Sequence, residues 1–183
     1  MTFTAVDFET AHANFPCEIG LTRVVDGKIT ATQSWLIKPA CFPYMNPWNE
    51  RVHHIRSVQL VNACTFEELW GTLKPWFEDQ YVVAHNAAFD MRVLKSSLEY
   101  YDLAIPYFDF FCSVQLSRKA WKELPSHSLD ILSNYHNISF QHHRAGDDAR
   151  ACAIITLHAF EKLGVTSIEN EFSNSGLKLK RFN

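Results

Sequence analysis

An α/β fold is what this sequence predicts, and three observations carry the prediction. Tyr81-Val82-Val83-Ala84 is a short apolar run that passes through His85-Asn86 directly into a helical pattern starting near Ala87; a strand feeding a helix in this way builds two stacked layers. The N-terminal stretch reads instead as successive strands, with Asp26-Gly27 as a tight turn between two of them. Near the other end, Ala145, Ala149, Cys152, Thr156, Ala159, Phe160 and Leu163 recur at helical spacing, and Gly164 stops the helix they define.

The elements follow in order. Phe3 to Thr10 is rich in aromatic and β-branched residues and predicts a first strand. Strands from about Glu18 to Val25 and Ile29 to Pro39 complete a meander. Between Pro39 and Thr65 the pattern breaks. Pro39, Pro43 and Pro47 punctuate a stretch holding Phe42, Tyr44, Trp48, Arg51, His53, His54 and Arg56. This predicts an irregular loop whose rings and cations suit either stacked bases and phosphates or packing back on the core. Thr65 and Glu68 form a capping box that opens a helix to about Asp79. A strand from Phe108 to Cys112 and helices over Ser113 to Trp121 and His127 to Tyr135 precede the final helix. Residues 1–164 thus read as one domain and 165–183 as a polar tail, ending Lys178-Leu179-Lys180-Arg181, expected to be flexible.

At 183 residues, 47% hydrophobic and 20% charged, the chain supports one sizeable core and not two. A formal net charge of −3 gives no overall pull toward nucleic acid or anionic lipid. A carboxylate-lined site offset by bound cations is compatible with the same balance. No apolar run approaches membrane-spanning length, and the N-terminus lacks a charged start followed by a hydrophobic region, so neither a span nor a secretory leader is expected. Cys17, Cys41, Cys64, Cys112 and Cys152 form no Cys-x-x-Cys, and read as free thiols, most of them in the core, of a cytoplasmic protein. No Gly-x-Ser-x-Gly elbow, phosphate-loop or dinucleotide glycine motif, or plausible Cys–base pair occurs, which sets aside those hydrolase and nucleotide-binding classes.

The carboxylates carry the chemistry. On a strand Asp7 and Glu9 share one face while Val6 and Phe8 take the other. Two adjacent acids without a basic neighbour are costly in a half-buried sheet unless a cation sits between them. Asp90 stands in the first turn of the helix after the buried strand, where a dipole-capping role is the bland alternative. Periodicity turns Asp148, and not Asp147, toward the apolar stripe of the last helix. An inward, unpaired Asp needs a partner, and a cation shared with Asp7 and Glu9 would serve. His143 precedes that helix on an entrance loop, mobile and near solvent, as suits a general base seeking a water. All-oxygen ligation favours Mg²⁺ or Mn²⁺ over zinc, and four carboxylates match a two-ion site.

Asp7-Phe8-Glu9-Thr10, His85-Asn86-Ala87-Ala88-Phe89-Asp90 and His143-Arg144-Ala145-Gly146-Asp147-Asp148 resemble, in order and spacing, the three motifs of the DEDDh 3′–5′ exonucleases. That group holds the proofreading epsilon subunits of bacterial polymerases and ribonuclease T. The likeness runs through Val52-His53-His54-Ile55, Leu116-Ser117-Arg118-Lys119 and His127-Ser128-Leu129, over about residues 2 to 163. It implies a ribonuclease H-like fold, a mixed sheet of about five strands flanked by helices. It further implies Asp7, Glu9, Asp90 and Asp148 as ligands of two Mg²⁺ or Mn²⁺ ions, with Asp7 bridging both and His143 as general base. Thr10, His53 and Phe89 match positions that hold the 3′-terminal nucleotide. The partner implied is a single-stranded 3′ end, DNA ahead of RNA, with a DNA polymerase subunit as a further partner and no membrane. A non-catalytic module that binds a strand or a polymerase is a weaker alternative, since no ligand is missing. Two departures stand out. His54 occupies the usual Gly position, where it could reshape the terminal-base pocket. Gly146 replaces a common Leu and is expected to loosen His143. Arg118, Lys119 and Lys122 are candidates for lining the strand's path, although a solvated helix face is the first reading for each.

Overall fold

Asp7 and Glu9 lie at the centre of the sheet, and the topology explains why. The computed structural model describes residues 1–172 and 177–183. Strands β1 (Phe3–His12), β2 (Phe15–Val25) and β3 (Lys28–Leu36) form the N-terminal meander. Strands β4 (Tyr81–Ala84) and β5 (Asp109–Cys112) add to β1 in parallel, and β6 (Lys180–Arg181) closes the far edge antiparallel to β5. The order among the described residues is β3-β2-β1-β4-β5-β6, a mixed ribonuclease H-like sheet with helices on both faces.

Helices α1 (Pro47–His53), α2 (Ser57–Leu60) and α3 (Phe66–Leu73) precede β4. Then come α4 (Ala88–Tyr100), α5 (Ser113–Ala120), α6 (Leu129–Tyr135), α7 (Ala145–Leu163) and α8 (Ile168–Glu171). The two-residue alternation of β1 divides the core. Phe3 and Ala5 face one cluster with α5, α6 and α7, while Val6 and Phe8 face the other with α3 and α4.

β1 pairs with β4 only from Thr4 to Val6, where β4 ends at Ala84, so Asp7 to Thr10 run on beyond the shorter strand. A crevice opens there, at the carboxyl ends of the parallel strands. Immediately after Glu9 the β1–β2 register slips, a bulge that re-aims the strand beside the crevice. One glycine is required here. A Cβ on Gly20, which pairs with Asp7, would lie 1.9 Å from the Ala145 carbonyl oxygen, so the first turn of α7 rests directly on the backbone of β2.

Several expectations need correction. The stretch after Pro39 is not irregular throughout: Asn46 caps α1, with Pro47 in its first turn, and α2 follows. The capping-box helix ends at Leu73, where Pro75 tightens the chain into a 3₁₀ turn at Lys74–Trp76. The described part of the tail is not free. Phe182 stacks on Phe108 with ring centroids 4.6 Å apart, Arg181 pairs with Asp109 at 2.6 Å, and Ile168, Phe172 and Leu177 are buried. Of the five free thiols only Cys17 and Cys152 are buried; Cys41 and Cys112 are half-buried and Cys64 is exposed. Among the described residues no helix is long and apolar enough to cross a membrane.

Candidate active site

The crevice is floored by carboxylates delivered from three elements. Asp7 and Glu9 come from β1, Asp90 from the first turn of α4 and Asp148 from the first turn of α7. Oxygens of Asp7, Glu9 and Asp148 lie within 4.8 Å of one another. Asp90 sits behind them, buried, and its Oδ1 accepts the Phe8 N–H at 3.1 Å. Burial, then the charges of Asp90, Asp148 and Glu9, hold the Asp7 carboxyl well above the usual range. Burial, then Asp148 and Glu18, push Glu9 up to about 8. Burial also raises Asp90 against the pull of the Phe8 N–H, and raises Asp148 against the opposing effect of His142. A set of crowded, dehydrated carboxylates is stable as anions only with positive charge among them. The donor set is all oxygen and suits hard divalent cations. These residues fit the metal the chemistry asks for.

His143 stands at the rim on the loop before α7, with Nδ1 3.8 Å from Glu9 Oε1. The loop is latched at several points, contrary to the expected mobility. The Gln141 N–H donates to Asp147 Oδ2 at 2.9 Å, and the His143 N–H donates to Asp148 Oδ2 at 2.9 Å. His142 Nδ1 lies 3.2 Å from Asp148 Oδ1, and its ring stacks on His143 at 3.9 Å with the planes 15° apart. Glu18, buried on β2, accepts the Ala145 N–H at 3.1 Å and pairs with Arg144 at 3.3 Å. That bond satisfies one orphan donor at the start of α7. Burial, then the proximity of His142, lowers the His143 pKa, so the ring is neutral and able to accept a proton near pH 7. Gly146 does not loosen this assembly: it lies inside α7, where a Cβ would meet Ser34 Cβ at 3.2 Å, so its small size lets α7 cross β3 closely.

The cleft above the acids holds about 620 Å³ and is walled by Val52, His85, Asn86, Phe89, Val114, Arg118 and Ser126 to Leu129, with His142 and His143 at one side. Asn86 and His143 both hold left-handed backbone, at φ 75° and 65°, which aims them at the cleft.

Comparison with known proteins decides the family. The exonuclease family model RNase_T matches residues 4–156. The chain belongs to the RNase_T exonuclease family. A PolC-type DNA polymerase III from Thermotoga petrophila is 32% identical over 178 residues, covering 91% of this chain but 13% of the polymerase. A 3′–5′ exonuclease DinG from Staphylococcus haemolyticus is 25% identical over 191 residues, covering 100% of this chain and 21% of the relative. The chain therefore spans a small part of these relatives' length. Exonuclease X in complex with 5′-overhanging duplex DNA shares the fold, with a TM-score of 0.73 at 24% identity over 90% of this chain and 94% of that one. The DEDDh nuclease domain of 3′hExo bound to rAMP does so with a TM-score of 0.74 at 14% identity, over 98% and 96%. Membership of this family makes the chain an exonuclease domain, a hydrolytic nuclease.

Within this exonuclease the residues matched to substrate divide in two. Phe89 lines the cleft. Thr10 and His53 do not: His53 is 1% exposed, and its Nε2–H donates to the Thr10 carbonyl at 3.2 Å while Nδ1 accepts the Ile55 N–H. Asn49 donates to the same carbonyl at 2.9 Å, so Thr10 and His53 anchor α1 behind the cleft wall. His54 is in left-handed conformation at φ 60°, closing α1 with its N–H on the Glu50 carbonyl, which is why glycine would suit this position; it lies outside the cleft. Arg118 reaches the cleft, whereas Lys119 and Lys122 do not line it.

Sequence reasoning missed three residues of the exonuclease site. Glu18 is a lone acid within a strand, and only its place opposite Glu9 hints at a role. His142 adjoins His143, and no periodicity marks it. His85 bridges Ser113 Oγ at 2.8 Å and the His127 carbonyl at 2.9 Å, and burial pushes it down to about 4, so it props α5 and the turn before α6 as a neutral ring.

Proposed function

We propose that this exonuclease domain removes nucleotides one at a time from the 3′ end of single-stranded DNA, using two Mg²⁺ or Mn²⁺ ions and releasing nucleoside 5′-monophosphates. The observation that carries the reading is the convergence of Asp7, Glu9 and Asp148 around one point, with Asp90 behind them and neutral His143 held at the rim. Asp7, Glu9, Asp90 and Asp148 would hold the ions. When bound, the ions supply the charge that lets water ionise near neutral pH and that offsets charge on the scissile phosphate.

The chain's own residues do the rest. His143 takes a proton from the attacking water, the phosphorus–O3′ bond breaks, and the freed 3′ oxygen is protonated from solvent. Phe89 packs the terminal base, Arg118 faces the backbone phosphates, and Thr10 with His53 hold the wall in register. DNA is preferred because the PolC-type relative is a DNA polymerase by name and Exonuclease X, which shares the fold, is in complex with DNA; association with a DNA polymerase and a cytoplasmic location are parts of the same reading.

The test is digestion of 5′-labelled single-stranded DNA and matching RNA with Mg²⁺, Mn²⁺ or EDTA. A ladder shortening from the 3′ end of DNA, lost with EDTA and in Asp7→Asn, is the expected result. Faster trimming of RNA would move the substrate to a ribonucleotide end, where contact with the 2′-OH decides. No cleavage of either polymer by folded protein would sink the catalytic reading.

A further inference from the structure

We infer that Trp48 is a stacking platform for a base of the bound strand upstream of its 3′-terminal nucleotide, set on the rim of the cleft by helix α1. The inference rests on the function proposed above and deepens it by naming where the strand leaves the cleft. The first observation is exposure: Trp48 is 71% exposed on a helix whose neighbours His53 and Ile55 are buried. An exposed indole offers a large, amphipathic π-face of the kind enriched at interfaces.

The second observation is direction. Side chains four residues apart on a helix share a face. Asn49 and His53 are one such pair, and both bond to the end of β1 at Thr10. Trp48 and Val52 are the adjacent pair. Val52 forms part of the cleft wall, so Trp48 stands one turn further out on the same flank. Glu50 and His54 turn to the opposite flank, around a separate surface depression. The acid of α1 is thereby kept away from the path to the cleft.

The third observation is rigidity. The Asn46 N–H donates to the Ala11 carbonyl at 2.8 Å, and Asn46 Oδ1 accepts the Trp48 N–H at 2.9 Å. Together with the bonds from Asn49 and His53 to Thr10, these fix α1 to the residues directly following Glu9. The indole is therefore held in constant register with the carboxylates. The charge is complementary to a polyanion. Arg118, on the cleft wall, is placed to meet a phosphate of a strand stacked on the ring, while exposed Arg51 lines the depression on the other flank with Glu50 and His54. Every base has a π-face, so a platform of this kind favours single strands without reading their sequence.

The test compares wild type, Trp48→Ala and Trp48→Phe on two substrates: a labelled single-stranded oligonucleotide, and the p-nitrophenyl ester of thymidine 5′-monophosphate, which is too short to leave the cleft. Loss of one stacked base is expected to raise the oligonucleotide KM about tenfold in Trp48→Ala, with kcat little changed, recovery in Trp48→Phe and the loss confined to the longer substrate. An unchanged oligonucleotide KM overturns the proposal, and so does an equal loss on both substrates, which would make Trp48 a packing residue. A wild-type dimer that dissociates in Trp48→Ala with KM unchanged would assign this flank to a second copy of the chain. Inactivity of the wild type on both substrates would instead sink the function above. In that event, fluorescence anisotropy of the labelled oligonucleotide with each variant still decides whether the ring binds the strand.

Discussion

The floor of the cleft and its rim are built on different physical terms. The floor is made of side chains on long or buried elements, β1, α4 and α7, each fixed by many neighbours in the core. It concentrates negative charge where charge is least welcome, and raised carboxyl pKa values are the consequence. The rim, holding His143, Val52 and Trp48, is carried by a loop and a seven-residue helix, and a few named hydrogen bonds tie it to the floor. The acids therefore sit where position is over-determined, at a cost in stability. The base His143 and the cleft-rim side chains sit where position depends on a handful of tethers and can be altered without unfolding the protein.

Four experiments bear on this contrast. The steepest fall is at the floor: if Asp7 holds the ions as proposed, Asp7→Asn should lower kcat by about 10³-fold or more, several kcal/mol in the transition state. The same change should raise the Tm of metal-free protein, because one repelling charge is gone. A variant that lost activity and stability together would show that the acids are not strained. Next is Gly20→Ala. Its Cβ cannot fit beside the Ala145 carbonyl, so α7 must shift, at about 3 kcal/mol or more by denaturant unfolding. A fall in kcat should accompany it, since Asp148 and His143 travel with α7. Near-wild-type stability would mean the helix slides freely over the sheet.

The third concerns pH in EDTA. Glu9 titrates at about 8 in the folded chain against 4.5 for its ordinary value, so its stabilising effect, complete at low pH, is lost as pH rises through 8. His85 acts in the opposite sense. Burial lowers it from 6.5 to about 4, so its contribution is present above 6.5 and lost as pH falls toward 4. Between pH 6.5 and 8 only the carboxylate trend operates, and metal-free protein should lose about 2 kcal/mol there. Differential scanning calorimetry should show Tm falling by about 4–8 °C across that interval, with recovery on adding Mn²⁺. A flat profile would mean that the floor carboxylates pair without ions. The smallest effect is Glu18→Gln, which keeps an acceptor for the Ala145 N–H but drops the charge facing half-exposed Arg144. A loss of about fivefold in kcat at unchanged Tm is expected, the discounted worth of one partly screened ion pair. No change would mean that the main-chain latch alone holds His143.

The same division decides what could be read from the sequence. Asp7 and Glu9 follow from the two-residue alternation of a strand, and the inward turn of Asp148 from the stripe it shares with Ala149 and Cys152. These are local regularities, and the sheet and major helices rest on them too. Glu18, His142 and His85 matter through partners 127, 6 and 42 residues away along the chain, and no local pattern encodes such pairings. The described tail misled for a related reason. Lys180 and Arg181 look like solvated charge, yet they pair with Phe110 and Asp109 along a strand edge that only β5 reveals. Gly146 misled because flexibility was assigned to a residue whose small size is what the neighbouring strand requires.

The bond from the Phe8 N–H to Asp90 has a practical side. β4 ends before it can pair with Phe8, and the Asp90 carboxylate takes the vacated place in the ladder. An acid of the site is thus also a stitch in the strand that carries two others. Inactive variants are consequently not interchangeable as traps for a bound strand. Asp90→Ala would leave a buried amide without an acceptor and let Asp7 and Glu9 drift, whereas Asp90→Asn keeps an oxygen on the strand. The Phe8 amide is also a spectroscopic probe built into the enzyme: its proton exchange with solvent reports how firmly Asp90 is held, in a molecule carrying no label.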